Sequence, residues 1–409
     1  MTAELPLLFT PITLRSVTAR NRIMSSPMCQ YASADGGPTD WHLVQFGRFA
    51  AGGAGIVFCE ETAVEPHGRK SYDCAGIWSD SHVAAYRRIA DFVRSMGAVP
   101  AIQIGHCGRR ASTKGIMQGF APLTEEDARA GRPAWQGVSA SALPDGPGGL
   151  VPRAMDLDDI RRNLQAWREA ALRSVDAGFD ICEIHGAHGY LIHQFLSPVA
   201  NRRSDGYGGS REGRMRFALE VAETVRAAWP ADKPLFFRTS VVDGPGGEWV
   251  VADTIALAQE LKARGVDVID CSSGGMAGDS TLPPVPRVPG FQVGYSSLVR
   301  EQVGLPTVTV GLITEARHAE DILRAGHADI VALAREFMYD PNWPLHAAVA
   351  LGHPDPFGVL PPSEAFRLRL RDAQARDMKP GASVSVPFGH GESVPYSWSA
   401  MMADPRHGR

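Results

Sequence analysis

The sequence predicts an α/β protein built on a (β/α)8 TIM barrel, with a loop-rich insertion and a C-terminal extension. Two observations favour this fold. Eight short β-rich runs alternate with amphipathic segments of helical length, which is the element order that such a barrel requires. Polar or glycine residues follow the runs, as expected where a barrel carries a site at the carboxyl ends of its strands. A barrel needs about 250 residues before insertions, so a chain of 409 residues has room for both additions.

The strands are predicted as short runs bounded by turn residues, and a helix is predicted after each of them. The predicted strands are Asn21–Met24, Gly55–Cys59, Val99–Ile104, Phe179–Ile184, Leu235–Thr239, Val266–Cys271, Thr307–Val310 and Ile330–Leu333. The predicted helices cover about residues 40–52, 81–96, 156–177, 210–229, 250–264, 296–303, 314–325 and 341–351. A doubly wound sheet is the alternative fold, and it is disfavoured because no Gly-x-Gly-x-x-Gly joins a first strand to a helix.

Two segments of the chain are predicted as additions to the basic barrel, an insertion and a C-terminal extension. We expect residues 1–353 to form the barrel domain, with an insertion at about residues 113–152 that is dense in Gly and Pro. Residues 354–409 form the predicted C-terminal extension. Because function concentrates in loops held on a rigid scaffold, the insertion is the expected substrate-facing loop.

The composition of the chain argues against some classes of binding partner. A formal net charge of -4 gives no electrostatic reason to bind nucleic acid or an anionic membrane surface. The start of the chain has no basic n-region and no apolar run reaches the length of a membrane helix, so we expect a cytoplasmic protein with small-molecule partners. The six cysteines are widely spaced without a C-x-x-C pair, which favours reduced thiols over a disulfide framework or a zinc site.

The most informative motif is the run from His185 to Tyr190, which follows the predicted strand Phe179–Ile184. It places the imidazoles of His185 and His188 and the phenol of Tyr190, all able to donate protons, where a buried strand ends. The intervening glycines allow the backbone to approach a ligand closely. The motif therefore predicts a catalytic site.

The other strand ends predict a phosphorylated ligand. The last two strands lead into Gly311 and into Ala334-Arg335, and free amides with a guanidinium match the oxygens of a phosphate. Arg238 would be costly if buried without an anion, so we expect it to meet negative charge on the ligand. Flavin mononucleotide satisfies both demands. The alternative for Arg335 is a salt bridge to a helix carboxylate.

These motifs resemble those of the old yellow enzyme family of FMN-dependent ene reductases, in particular its bacterial, thermophilic-type branch. The resemblance spans roughly residues 7–350. The motifs that carry it are Leu8-Phe9-Thr10-Pro11, Asn21-Arg22-Ile23, Ser26-Pro27-Met28-Cys29, Gln103, the run His185 to Tyr190, Gln194-Phe195-Leu196-Ser197-Pro198, Arg203 to Gly209 and Asp270-Cys271-Ser272-Ser273-Gly274.

The resemblance implies that FMN is the cofactor, that NADPH or NADH is the reductant, and that the protein is a homo-oligomer. Gln103 would hydrogen-bond the pyrimidine edge of the flavin, Arg238 would lie near N1 and O2, and Glu61 stands at a position that faces the flavin. The residues implied to line the flavin or hold its phosphate are Ser26, Pro27, Met28, Cys29, Gly311, Ala334 and Arg335.

The resemblance also implies a reaction, in which the activated C=C bond of an α,β-unsaturated carbonyl compound receives hydride from flavin N5. His185 and His188 would bind the carbonyl oxygen and stabilise the enolate-like charge that develops there. Tyr190 would protonate the α-carbon, as a phenol that is protonated at neutral pH can. Tyr31 would close over the substrate.

The sequence departs from the family pattern at four positions near the implied site. Glu61 replaces a small or apolar residue, and a carboxylate there would disfavour an anionic reduced flavin. Cys107 replaces a common alanine, and Arg110 replaces a common lysine. Ala334 replaces a glycine, and it can still offer its amide to a phosphate if its φ is negative.

Two other functions stay open. A flavin-dependent NAD(P)H oxidase or quinone reductase would share the same motifs. A metal-dependent TIM-barrel hydrolase could be built on His106, His185, His188 and Glu61. The hydrolase is disfavoured because His185 and His188 are three residues apart beyond a strand, where they need not converge, and because no paired carboxylate is obvious. We expect no metal.

Overall fold

A computed structural model describes residues 5–146, 148–244, 247–276, 287–376, 384–390 and 392–396. Contacts divide the chain into two compact units, Met1–Val359 and Leu360–Arg409. The division after residue 353 and the role of the extension stay predictions. In the second unit a helix covers Pro362–Arg376, and an antiparallel pair of strands covers Val384–Gly389 and Glu392–Tyr396.

The first unit contains a closed barrel of eight parallel strands, which confirms the predicted fold class. The strands are β1 (Ile23–Ser25), β2 (Ile56–Ala63), β3 (Val99–Gly105), β4 (Ile181–Gly186), β5 (Leu235–Ser240), β6 (Val268–Ser272), β7 (Thr307–Thr309) and β8 (Ile330–Leu333). Each strand pairs with the next along the chain, and β8 pairs with β1 to close the barrel. Every predicted strand overlaps an observed one.

A helix follows each strand and packs outside the barrel, as the alternation predicts. The helices are α1 (Asp40–Ala51), α2 (Val83–Ser95), α3 (Leu157–Asp176), α4 (Arg211–Ala228), α5 (Val251–Ala263), α6 (Val293–Val303), α7 (Ala316–Arg324) and α8 (Trp343–Ala350). Two further short helices matter for the site: Leu191–Leu196 directly follows β4, and Arg335–Tyr339 directly follows β8. The insertion between β3 and α3 contains the helix Glu125–Arg129 and the paired two-residue strands Val138–Ser139 and Arg153–Ala154.

An N-terminal hairpin covers one end of the barrel. Its strands, Ile12–Leu14 and Val17–Ala19, are antiparallel, and the buried side chains of Ile12, Leu14 and Ala19 belong to the same apolar cluster as the barrel interior. The sequence analysis missed this hairpin because strands of three residues are too short to show a period. The hairpin leaves the carboxyl ends of the strands as the open end. No helix among the described residues is both long and apolar enough to cross a membrane.

Candidate active site

A cavity of about 480 Å³ lies at the carboxyl ends of the barrel strands. Residues predicted for a cofactor or substrate site line it: Ser26, Pro27, His188, Arg238, Gly311, Ala334 and Arg335. Side chains that the sequence analysis did not assign also line it, among them Arg287, Gln292 and Tyr339. The barrel thus brings distant segments of the chain to one cavity.

The corner formed by β7 and β8 suits an oxyanion. Gly311 has φ of 132°, and a Cβ there would lie 2.8 Å from the ring of Phe291, so glycine is required. Ala334 has φ of -111°, which satisfies the condition for it to replace glycine. Arg335 lines the cavity, and no ion pair links it to a carboxylate within the described residues, so the helix salt bridge considered as its alternative is not found there.

Arg238 meets protein carboxylates as well as the cavity. Its Nη1 donates to Ser26 Oγ at 3.0 Å, and its Nε lies 3.5 Å from Asp270 Oδ2. Asp270 therefore supplies part of the negative charge that offsets Arg238. The expectation that Arg238 also meets negative charge on a ligand stays a prediction. Gln103 donates its amide to Glu183 at 2.7 Å. Burial, followed by repulsion from Asp270, raises the pKa of Glu183 well above its usual range.

His185, His188 and Tyr190 converge at the end of β4. The ring centroids of His185 and His188 are 5.1 Å apart, and the ring of Tyr190 stands edge-on to His185 at 4.9 Å. His188 has φ of 59°. Its amide donates to Ser240 Oγ at 3.0 Å, and its Nε2 lies 2.6 Å from Ser272 Oγ. The left-handed turn at His188 explains why side chains three residues apart beyond a strand meet.

Burial sets the protonation of these groups. Burial, then the charge of Arg238, holds the pKa of His185 and of His188 well below the usual value for histidine. Both imidazoles are therefore neutral at pH 7, each with one N–H donor. Burial, then its neighbour Cys107, raises the pKa of Tyr190 well above 10. The phenol accordingly keeps its proton.

Glu61 is a buried carboxyl that interacts electrostatically with Tyr190. A register shift in β2 pairs Cys59 with Ile102 but Glu61 with Gln103, so Glu60 is the extra residue of a β-bulge. A Cβ at Gly105 would lie 2.2 Å from Glu61 Oε1, so that glycine makes room for the carboxyl. Burial and the charge of Glu60 raise the pKa of Glu61 to about 8. The carboxyl is therefore largely neutral at pH 7, which weakens the expected repulsion of an anionic reduced flavin.

The segment after β1 forms another side of the site. Burial, with Glu60 and Glu61, raises the pKa of the Cys29 thiol well above its usual range, so the thiol is protonated. Met28 accepts a hydrogen bond at its carbonyl from the Gln30 side chain at 2.6 Å. Tyr31 adopts φ of 52°, and its ring lies 5.6 Å from that of Phe120 in the insertion.

Three buried histidines, each facing a carboxylate, support the loops at this end of the barrel. The sequence analysis missed them as a set. In each pair, histidine Nδ1 accepts a backbone N–H bond of 2.9 Å while Nε2 faces a carboxylate. The backbone donors are Thr39 for His42, Gly108 for His106 and Gly189 for His193. The carboxylate distances are 3.0 Å for His42–Glu60, 2.8 Å for His106–Glu65 and 2.6 Å for His193–Asp243. We call these three the histidine clamps.

The clamp of His193 fixes the backbone beside His188 and Tyr190. An Nδ1 that accepts a hydrogen bond carries no proton, so Nε2 is the protonated nitrogen. The clamp of His193 holds Gly189, which separates His188 from Tyr190. Glu60 in addition accepts the amide of Gln30 at 2.8 Å. No sequence signal pointed to the pair His193–Asp243, because fifty residues separate the partners.

The clamps also remove one proposed metal ligand. His106, which the hydrolase alternative requires, is bonded to Glu65 and to the amide of Gly108. Within the described part of the chain, no group of three or more His, Cys, Asp or Glu side chains is arranged to hold a metal ion.

The sequence of the chain is similar to that of known proteins. Residues 7–352 match the model of the NADH:flavin oxidoreductase / NADH oxidase family. The chain is 42% identical over 349 residues to the NADPH dehydrogenase of Geobacillus sp. strain WCH70, covering 85% of this chain and 95% of that protein. It is 39% identical over 346 residues to the NADPH dehydrogenase of Bacillus subtilis strain 168, covering 84% and 95%.

The chain also superposes on solved structures. Morphinone reductase superposes with a TM-score of 0.69 at 27% identity, covering 86% of this chain and 91% of that chain. The old yellow enzyme homologue from Zymomonas mobilis superposes with a TM-score of 0.68 at 26% identity, covering 85% and 93%.

Proposed function

This chain belongs to the NADH:flavin oxidoreductase / NADH oxidase family, the old yellow enzyme family, and we propose that within it the protein is an ene reductase. As a family member it is an FMN-dependent NAD(P)H oxidoreductase. The proposal adds the substrate class: activated alkenes conjugated to a carbonyl group. The observation that carries it is the meeting of His185, His188 and Tyr190 at the end of β4.

The residues at the open end suit FMN. Three features of the corner formed by β7 and β8 suit its phosphate. There is no room for a Cβ at Gly311, the φ of Ala334 is negative, and the guanidinium of Arg335 lines the cavity. Arg238 lines the cavity, where its Nη1 donates to Ser26 and its Nε faces Asp270. A guanidinium has five N–H donors, so the remaining donors suit an acceptor on the ring system. When bound, FMN passes the reducing equivalents of NAD(P)H to the substrate as hydride.

The remaining side chains assigned to FMN keep their proposed roles. We propose that Gln103 contacts the pyrimidine edge, and that Glu61 faces the ring system as a neutral carboxyl. The residues proposed to line the cofactor are Ser26, Pro27, Met28 and Cys29.

We propose that His185 and His188 bind the substrate's carbonyl oxygen. His185 Nδ1 is buried without a hydrogen-bond partner among the residues that the structure describes. The two neutral rings are 5.1 Å apart. Two N–H donors aimed at one oxygen stabilise the negative charge that grows on it as the β-carbon is reduced. Tyr31, on the side of the site formed after β1, would add a further hydrogen bond.

We propose that Tyr190 donates the proton to the α-carbon. Its raised pKa keeps the phenol protonated across the physiological range, as the acid in this step must be. Its edge-on contact with His185 keeps the acid next to the proposed carbonyl site.

The decisive experiment follows the visible absorption of the purified protein under anaerobic conditions. The flavin band should be lost on addition of NADPH or NADH and return on addition of cyclohexenone. If the band returns only with oxygen or a quinone, the oxidase or quinone reductase alternative replaces the ene reductase.

Tyr190→Phe tests the assigned acid in the same assay. Because a general acid contributes about 100- to 10,000-fold, re-oxidation by cyclohexenone should slow within that range while reduction by NADPH stays close to wild type. Equal slowing of both half-reactions would contradict the role of Tyr190.

A further inference from the structure

A second cavity of about 360 Å³ lies between the turn after β3 and the insertion. Its lining includes the cationic side chains of Lys70, Arg109 and Arg110 and the carboxylate of Asp145. Three cations against one anion leave an excess of positive charge among these residues. We call this cavity the basic pocket.

The single carboxylate is already shared by the two arginines. Asp145 Oδ2 lies 2.9 Å from Arg110 Nε, and Asp145 Oδ1 lies 3.4 Å from Arg109 Nε. Asp145 therefore offsets one positive charge of the arginine pair and has no further charge to offer Lys70.

Lys70 carries the excess charge. Its ammonium nitrogen lies 3.3 Å from the centroid of the Phe120 ring, and no ion pair joins it to a carboxylate within the described residues. Burial, then repulsion from Arg110, lowers its pKa. Glu61 interacts electrostatically with Lys70, but with a pKa of about 8 it is largely neutral at pH 7. An anion in the basic pocket would offset the cost of this unpaired cation.

The basic pocket borders the candidate active site on two sides. Arg110 Nη1 donates to the carbonyl oxygen of His188 at 2.6 Å. Phe120, which lies under the ammonium of Lys70, packs against the ring of Tyr31 at 5.6 Å. The basic pocket therefore adjoins the candidate active site.

We propose that the basic pocket is an oxyanion subsite, in which Lys70 and Arg110 bind a phosphate or carboxylate carried by a ligand of the active site. The position of the ligand's reacting part rests on the proposed function. Two ligands offer this chemistry: NADPH through its phosphates, and an acidic alkene through its carboxylate. An ammonium supplies a point charge to such a group, and a guanidinium supplies directed N–H donors.

The test compares Lys70→Met with Lys114→Met. Lys114 is a matched control, since it is a lysine of the insertion whose ammonium is already paired with Asp127 at 3.0 Å. For both variants we would measure the Kd of NADPH and of NADH in anaerobic flavin reduction. We would also measure the KM of an enoate and of a neutral enone.

We expect Lys70→Met to weaken binding of the anionic ligand by about tenfold, the scale of one charged contact. A loss for NADPH alone identifies its 2′-phosphate, and an equal loss for NADPH and NADH identifies the pyrophosphate. A loss for the enoate alone identifies a substrate carboxylate. The KM of the neutral enone should stay at the wild-type value.

The proposal is overturned if Lys70→Met matches Lys114→Met for all four ligands, or if the neutral enone loses as much affinity as the anionic ones. The nicotinamide arm needs only flavin reduction. It therefore tests the basic pocket even if wild-type protein fails to reduce any enone, which would count against the proposed function alone.

Discussion

Two groups of histidines lie around the open end of the barrel, and they differ in their partners. His42, His106 and His193 each face a carboxylate and accept a backbone N–H, forming the three clamps. His185 and His188 face each other instead. No carboxylate within the described residues forms an ion pair with either of them.

The difference shows how one residue type serves two purposes. A carboxylate at Nε2 and an amide at Nδ1 use both ring nitrogens, so a clamp histidine holds backbone and has nothing to offer a ligand. In the other group, burial and Arg238 keep the rings neutral. Within the described residues His185 Nδ1 has no hydrogen-bond partner, whereas His188 Nε2 contacts Ser272 Oγ. We propose that such neutral rings offer an N–H to a substrate. The comparison therefore predicts stability effects at the clamps and rate effects at His185.

The largest effect is expected on stability, from a substitution that breaks a clamp. Asp243 accepts hydrogen bonds from His193, Ser197 and the amides of Glu248 and Trp249. Asp243→Ala leaves these buried donors unpaired, at a cost of about 1 to 3 kcal/mol for each unsatisfied group. The substitution should therefore lower the free energy of unfolding by about 3 kcal/mol or more in urea denaturation. A loss below about 1 kcal/mol would mean that the clamp does not hold the loop.

The next effect is on rate. His185→Ala removes one donor to the developing oxyanion, and loss of one such donor costs about 100- to 1000-fold. The rate of cyclohexenone reduction should fall within that range at full FMN occupancy. Urea denaturation of the same variant should show a smaller loss than Asp243→Ala, because the His185 side chain makes no hydrogen bond to any of the described residues. A larger loss of unfolding free energy for His185→Ala than for Asp243→Ala would contradict the division of the histidines into these two groups.

The pH dependence of the unfolding free energy tests whether His185 is neutral in the folded protein. Because the folded-state pKa of His185 lies below its unfolded value, the unfolded state binds the extra proton. The stability contributed by neutral His185 is therefore complete above about pH 6.5 and is lost as the pH falls below it. Between pH 7 and pH 5.5, wild type should lose about 1 kcal/mol more unfolding free energy than His185→Ala. Parallel losses would show that His185 is charged in the folded protein.

The smallest effect is expected at Cys29. Its thiol is protonated at neutral pH and acts as a small apolar group. The effect of Cys29→Ala on enone reduction should be at least about tenfold smaller than that of His185→Ala, with FMN still bound. Comparable rates for the two variants at full FMN occupancy would contradict the role given to His185.

Much of the site was predictable because a barrel gathers the carboxyl ends of its strands. Once the strands were identified, the run His185 to Tyr190 had to lie at the same end as Arg238 and Gly311. The partners of these residues were not predictable. Asp270, which shares the charge of Arg238, lies on the neighbouring strand β6. Its register follows from the closure of the barrel.

The sequence by itself determined the fold class, the order of the elements and the family, because periodicity and local motifs are properties of neighbouring residues. Only the tertiary structure decided which histidines are clamps and that Glu61 is buried as a largely neutral carboxyl. It also decided that Lys70 lies on the ring of Phe120 and forms no ion pair with a carboxylate among the described residues. These properties depend on burial and on charges brought together from distant segments. Both the pKa of a side chain and its capacity to bind a ligand follow from that environment.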